Sequence, residues 1–582
     1  MSTSYDKFPY VPVDEDARLC LRGWAAIAER LKAAGQQGSV LCIECYPGLF
    51  ESEVVEALTA YIRPAVVIRA QDALRPPEEI ESIVRPFLTD DPVFGLMNDL
   101  RLQDLFDPAL VAELRRQVQS QTTSVTLVVG TGAYFIAPQS HLLVYADLAR
   151  WEIQQRQRRN EITNFGAANL SDPPSLKYKR GFFIDWRAAD QLKQQLLNRI
   201  DFLLDTNTLG DPKMITGDQF RRGLDLASQR PFRVVPFFDP GPWGGDWMMN
   251  KFDLPGDRPN YAWGFDCVPE ENSLLLGFGD VRVEIPAIDA VFRRPKELLG
   301  AFVHSRFGAE FPIRFDFLDT MNGGNLSLQV HPLTSYIRQH FGMSYTQDES
   351  YYMLDAGPDA SVFLGLKEGI DCKHMVADLR SAQEGEHSFP AEEYVNRWPA
   401  RKHDHFLIPA GTIHCSARNS VVLEISATPY IFTFKLWDWG RMGLDGRPRP
   451  IHLEHGIANI QWDRTTEWVR RNLVNQIQTV EHGPCWREER TGLHSLEFIE
   501  TRRHWFTGPV PHETNGSVHV LNLVEGEAAV VESPTNAFDP WIVHYGESFI
   551  VPAAVERYTI RPLDSGAQCA TMRASVRESN AG

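Results

Sequence analysis

The sequence predicts a multidomain protein: an amino-terminal α/β domain built on a parallel sheet, then an all-β region of two jelly-roll barrels. Three observations carry this. Up to about residue 207, short apolar runs alternate with amphipathic stretches, the pattern of a parallel sheet with helices on both faces. From Pro231 the texture changes to short segments broken by Gly, Pro and Asp, as in all-β folds. Two of these later blocks end in similar turns, IPAGTIH at 408–414 and VPA at 551–553, as a duplicated barrel would.

A chain of 582 residues is too long for one core, and the domains are assigned as 1–207, a linker at 208–230, 231–460, and 461–582 with a helical connector at its start. The net charge of −18 argues against nucleic acid as a partner, because a phosphate backbone needs a basic surface. The start, MSTSYDKFPY, has no apolar core for a signal peptide. No run approaches the ~18 apolar residues of a membrane span, so a cytoplasmic protein without membrane contact is expected.

Residues 15–35 read as an amphipathic helix (Leu19, Leu21, Trp24, Ile27, Leu31) stopped by Gly35. A buried strand at Val40–Cys45, a glycine-bearing turn and a helix follow. Further strands are expected at Ala65–Arg69, Val125–Gly130 and Leu142–Tyr145, and a helix running to Leu204 closes the domain. Cys42 and Cys45 form a C-x-x-C within a strand rather than at a helix start, so buried thiols are expected instead of a redox pair. The turn after that strand lies where a phosphate-binding loop would sit. The pattern G-x-x-x-x-G-K-[ST] laid over Cys45–Ser52 puts Phe50 at the second glycine and Glu51 at the lysine. Phe50 obstructs close backbone approach and Glu51 repels phosphate. With LLVYADLARWEIQQRQRR, this half resembles a degenerate uridine-kinase-like P-loop domain that has lost its defining motif.

The chemistry concentrates between Gly323 and Asp355. Gln329 and His331, two apart on a strand, share a face, and Glu349 lies in the next apolar segment. Three N and O donors at one point would suit a divalent cation, zinc first. By itself Q-x-H also describes the polar face of an ordinary strand. His414, delivered by the Pro-Ala-Gly-Thr turn, is the expected fourth donor.

The ordered runs LSLQVHP, DESYYMLDA, IPAGTIH, VVLEIS and WDWGR…DGRPRPIHLE, with WGG near the start, resemble type I mannose-6-phosphate isomerases, zinc-dependent members of the cupin superfamily, from about residue 231 to the end. The resemblance implies Zn2+ on Gln329, His331, Glu349 and His414. It also implies a second, metal-free barrel and interconversion of an aldose and a ketose, with a small sugar or sugar phosphate as partner. Glu424 in VVLEIS matches a carboxylate lining the family's pocket and is the candidate base. Lys435 stands where the family has an arginine, and a lysine lacks the arginine's planar fork. Ser327, Trp243 and Arg314 are the expected substrate contacts, Arg314 compensating for two family lysines replaced here by Gln347 and Asp316. The alternative implied by those losses is a catalytically impaired, sugar-binding regulatory protein. The sequence sets no oligomeric state.

Overall fold

A computed structural model describes the chain except residues 1–3, 36–37, 122–123, 428–429, 431, 444–445, 447–448, 493 and 578–582. It divides into two compact units, an α/β unit (Tyr10–Ala227 with Ser273–Arg294) and a β unit (Met1–Pro9, Ser228–Asn272 and Pro295–Gly582). Among the described residues no helix is long and apolar enough to cross a membrane.

Five parallel strands frame the α/β unit: β1 (Val40–Cys45), β2 (Val66–Arg69), β3 (Thr126–Gly130), β4 (Leu142–Asp147) and β5 (Phe202–Asp205). All of β1 is buried, as the largely apolar run VLCIEC requires of a strand covered on both faces, and its one charged residue, Glu44, accepts from the N–H groups of Gly132 and Tyr134. It pairs with β3 on one side and β4 on the other, giving the order β2-β3-β1-β4-β5. The antiparallel strands Lys213–Thr216 and Leu21–Arg22 extend the β5 edge. Cys42 and Cys45 are buried thiols on β1, and burial raises the pKa of both.

Several expectations are corrected here. The helix expected over 15–35 is confined to Trp24–Ala34, since Gly23 at φ 81° breaks it and Leu21 joins the edge strand. The last helix ends at Leu196, and FLLD becomes β5. An apolar run this short carries no period that separates strand from helix. The stretch read as a linker at 208–230 holds the strand Lys213–Thr216 and the helix Gly217–Ala227. The hairpin Ser273–Phe278/Val281–Pro286, expected in the β region, pairs instead with Tyr10–Asp14 in the α/β unit. Alternation marks a hairpin but does not say which sheet receives it.

In the β unit the labels continue with β6 (Arg314–Asp319), β7 (Leu328–Val330), β8 (Asp348–Ala356), β9 (His414–Ser416), β10 (Ser420–Ala427) and β11 (Phe434–Trp437). A six-stranded antiparallel sheet runs His405–Ile408, β8, β10, β6, Trp263–Cys267, Phe237–Asp239. A five-stranded one runs Val395–Pro399, Ser361–Leu366, β9, β7, β11. A second pair of sheets, of six and four strands, follows from Gln478. Its strands include β12 (Trp486–Gly492), β13 (Ile499–Phe506), β14 (Val510–Glu513), β15 (His519–Glu525), β16 (Arg557–Pro562) and β17 (Cys569–Val576).

One buried ion cluster ties the helix following the late hairpin to the rest of the α/β unit. Lys193, fully buried, donates to Asp147 at 2.6 Å and lies 2.7 Å from Asp289 on the helix Ile288–Arg293. Removing one partner of such a cluster strands like charges in the core. Lys193→Met is therefore expected to cost about 3–5 kcal/mol in chemical denaturation, and replacing Asp147 and Asp289 by leucine in the same chain should recover much of it.

Candidate metal centre

The two inner sheet faces of the first sheet pair meet at Glu349. Gln329 on β7 is in register with His414 on one neighbour and Lys435 on the other. Glu349 faces them from β8, its Oε2 3.1 Å from His331 Nε2 and its Oε1 2.8 Å from His414 Nε2. Ligand atoms of His331, Glu349 and His414 all lie within 4.8 Å of one another. Gly411, at φ 87°, donates its N–H to the His331 carbonyl at 2.9 Å, locking the Pro-Ala-Gly-Thr turn against the strand end that carries His331.

The histidine tautomers follow from their outer partners. His331 Nδ1 is 2.9 Å from the Phe432 carbonyl, and His414 Nδ1 is 2.9 Å from the Thr412 carbonyl. A carbonyl only accepts, so each neutral imidazole keeps its proton on Nδ1 and turns the Nε2 lone pair inward. Two lone pairs and a carboxylate then converge in a buried space, an arrangement that calls for protons or a cation. The donor set of two imidazoles and one carboxylate is the kind that holds zinc with a position left open. Gln329 Nε2 lies 3.2 Å from His414 Nε2, and the amide turned over would present its oxygen as a fourth donor. For His331, burial lowers the pKa but Glu349 more than offsets it, leaving a net rise. Burial pushes Glu349 up, yet His331 and His414 hold it well below the carboxylate range.

Gln347, which stands where the resemblance would place a lysine, supports the centre from outside. Its Nε2 donates to Glu349 Oε2 at 3.1 Å while its Oε1 accepts from Phe432 N at 3.0 Å. One amide thus fixes both the ligand carboxylate and the backbone that orients His331.

Around this centre the six-stranded sheet adds carboxylates. Glu424 is paired in register with Asp316 on β6 and Tyr351 on β8. Burial, then Glu349 and Asp316, raises the Glu424 pKa well above the usual carboxylate range. Asp316 is pushed to about 7 by burial, against the pull of Arg314. Arg314 is itself buried, 3.3 Å from Asp316, and is committed to that carboxylate.

The five-stranded sheet adds cations. Burial, helped by Arg449, lowers Lys435 to about 7. Asp438 joins two arginines, accepting from Arg441 at 2.6 Å and from Arg449 at 2.7 Å. Sequence reasoning singled out neither arginine nor Tyr351, although all three lie in the runs quoted above. The spacing of Tyr351, two residues after Glu349 on the same strand, was the available signal. Asp445, Arg447 and Pro448 of the DGRPRP run lie outside the described residues, as does Ile431 before β11. Ser327 is buried two residues before Gln329. Trp243 is 1% exposed, packs edge-on against Trp263 at 4.8 Å, and accepts from Gly324 N at 3.0 Å through its carbonyl. A Cβ on Gly323 would sit 2.4 Å from that carbonyl, so the GG of GGNLSLQVH permits this close approach.

Comparison with known proteins divides the chain similarly. Residues 23–229 match a family model described as a domain of unknown function (DUF8485). The chain is 22% identical over 324 residues to the mannose-6-phosphate isomerase of Streptococcus mutans, covering 54% of this chain and 90% of that protein. It is 22% identical over 326 residues to the mannose-6-phosphate isomerase ManA of Bacillus subtilis, covering 54% and 93%. A crystal structure of the mannose 6-phosphate isomerase from Bacillus subtilis aligns with a TM-score of 0.49 at 17% identity, over 60% of this chain and 99% of that one. A mannose 6-phosphate isomerase structure described as holo and zinc bound aligns with a TM-score of 0.45 at 14% identity, over 60% and 100%. Over rather more than half its length, then, the chain is homologous to mannose-6-phosphate isomerases.

Because Gln347 holds Glu349 without being a ligand itself, Gln347→Leu should leave the fold intact and weaken divalent-metal affinity about 10–100-fold, measured by competition with a chromophoric chelator. Metal uptake should also weaken as pH falls through the raised His331 pKa, because protons then compete for Nε2.

Proposed function

We propose that the β unit is a zinc-dependent aldose–ketose isomerase acting on a sugar phosphate, of the type that interconverts mannose 6-phosphate and fructose 6-phosphate. The observation that carries this reading is the pair of Nδ1-tethered imidazoles facing the buried Glu349 carboxylate. His331, His414 and Glu349 would hold the ion, with Gln329 as the fourth ligand. A bound zinc ion supplies charge stabilisation for the oxygens of the substrate.

Moving hydrogen between C2 and C1 of an open-chain sugar needs a base for carbon and a proton carrier for oxygen. Lys435, lowered to about 7, is half neutral at neutral pH and fits the carbon base. Glu424, held protonated, fits the group that gives and recovers the hydroxyl proton as the enediolate forms and collapses. Assigning the base to Lys435 reverses the role first expected of Glu424. The phosphate is assigned to Arg441 and Arg449, which share Asp438 and lie on the flank of the strand that carries Lys435. Ser327, beside Gln329, would contact a sugar hydroxyl.

For the α/β unit we propose a P-loop-like domain without nucleotide chemistry. The order β2-β3-β1-β4-β5 supports this, with the loop after β1 leading into the helix Glu51–Ile62. The phosphate position is taken by the chain itself. Glu51 Oε1 accepts from Thr131 N at 2.8 Å, and Arg156 lies 4.2 Å over the Phe50 ring while donating to the Gly48 carbonyl at 3.2 Å. An anion would meet a carboxylate there and find the nearby arginine engaged.

The zinc-loaded protein should interconvert mannose 6-phosphate and fructose 6-phosphate, lose turnover with a chelator and regain it with zinc. Stoichiometric zinc with no turnover of any aldose or ketose, phosphorylated or free, would leave the sugar-binding regulatory reading in its place. Lys435→Met should lower kcat about 10²–10⁴-fold. In the wild type kcat/KM should rise with pH through about 7 as Lys435 loses its proton. Arg449→Gln should raise KM for phosphorylated sugars about 10-fold or more and leave free sugars little changed.

A further inference from the structure

The second pair of sheets in the β unit has an interior that changes character along its length. At one end the inward positions are apolar: Phe506, Val510, Leu521 and Cys569 belong to one buried core. Two residues along the same strands, on the same faces, stand His504, His512, His519 and Thr571, with Arg573 beyond Thr571. Glu488 on β12 and Tyr558 on β16 complete a buried polar end.

Some of these groups satisfy one another. Glu488 Oε1 lies 3.1 Å from His504 Nε2, 3.0 Å from Arg502 and 3.3 Å from Arg573. His519 Nδ1 is 2.8 Å from the Tyr558 hydroxyl. His512 is the exception. It is 4% exposed, stacked on Tyr558 at 4.7 Å and edge-on to His504 at 4.5 Å, yet neither ring nitrogen has a hydrogen-bond partner among the described residues. His504 Nδ1, Arg573 Nε and Thr571 Oγ1 share this condition. Buried polar groups left this way call for a ligand or water.

Their chemistry selects the ligand class. Arg573 is a buried guanidinium 3.3 Å from the Glu488 carboxylate, which Arg502 and His504 already share. A free Nε–H beside an imidazole and a hydroxyl is a donor set for oxyanion oxygens, and a metal ion would be repelled by the guanidinium. We propose that the polar end of this second sheet pair binds a small oxyanion, phosphate or carboxylate, between Arg573, His512, Thr571 and His504. Burial keeps His504, His512 and His519 neutral without an anion, with Arg573 adding to the effect. An anion reverses that balance, so binding takes up a proton and tightens as pH falls. Arg502, Glu500, Glu488, Tyr558 and Arg573 are the other charged or titratable groups around the histidines, and none of them titrates ordinarily near neutral pH.

The test is calorimetric titration of the full-length, zinc-saturated chain with inorganic phosphate and, separately, acetate, at about pH 6 and about pH 8. A saturable site that persists in Arg449→Gln is expected, several-fold tighter at the lower pH, and the better of the two anions names the oxyanion source. Arg573→Met and His512→Phe, the latter keeping the stack on Tyr558, should each weaken it about tenfold or more, whereas Arg449→Gln should leave it in place. No saturable binding by either anion at millimolar concentration, or binding indifferent to both substitutions, overturns the proposal. So does zinc found bound by His504 and His512. If either variant melts early, anomalous density for selenate soaked into wild-type crystals decides: density between Arg573 and His512 supports the site, and its absence there refutes it.

Discussion

A carboxylate buried between two imidazole lone pairs is the constraint on which the β unit's chemistry depends. Positive charge on the imidazoles of His331 and His414, or a cation held between them, keeps Glu349 anionic, and each ring is oriented by its Nδ1 contact with a backbone carbonyl. Those carbonyls belong to Phe432 and Thr412, in the approach to β11 and in the turn before β9. Loop geometry far apart in sequence therefore sets the direction of two lone pairs. Gln347 closes the circuit by holding Glu349 and the Phe432 N–H at once.

The two sheets divide the labour by charge. The six-stranded sheet brings Glu349, Glu424 and Asp316, with Arg314 balancing the last, whereas the five-stranded sheet brings imidazoles, an amide and Lys435. Burial, then the crowding of acids on one wall, raises Glu424 and Asp316, and burial near arginines on the other lowers Lys435. An acid that stays protonated and an amine that gives up its proton near neutrality are what a proton-shuffling site needs at a single pH. The same residues in a solvated cleft would have ordinary affinities and no such division.

The two sheet pairs of the β unit share a plan and differ in what their inner faces were given. The first joins imidazoles to an anionic carboxylate. The second sets its imidazoles beside a guanidinium, with its carboxylate already shared among three donors.

Much of this was legible in the sequence where local rules govern. VLCIEC reads as a buried strand with two buried thiols rather than a redox pair, and the structure buries the strand and both cysteines; the spacing of Gln329 and His331 puts them on one face. The break of the first helix at Gly23, the strand hidden in FLLD and the sheet chosen by the hairpin at 273–286 were not legible. Short apolar segments carry no partner information, so only the assembled sheets decide where they go. The candidate site divides in the same way. Residue types and their order pointed to His331, Glu349 and His414, which the structure brings within 4.8 Å of one another. The contact of Gln347 with Glu349 and the shifted pKa values of Glu424 and Lys435 belong to the tertiary structure, because they follow from burial and from groups brought close by strands distant in sequence.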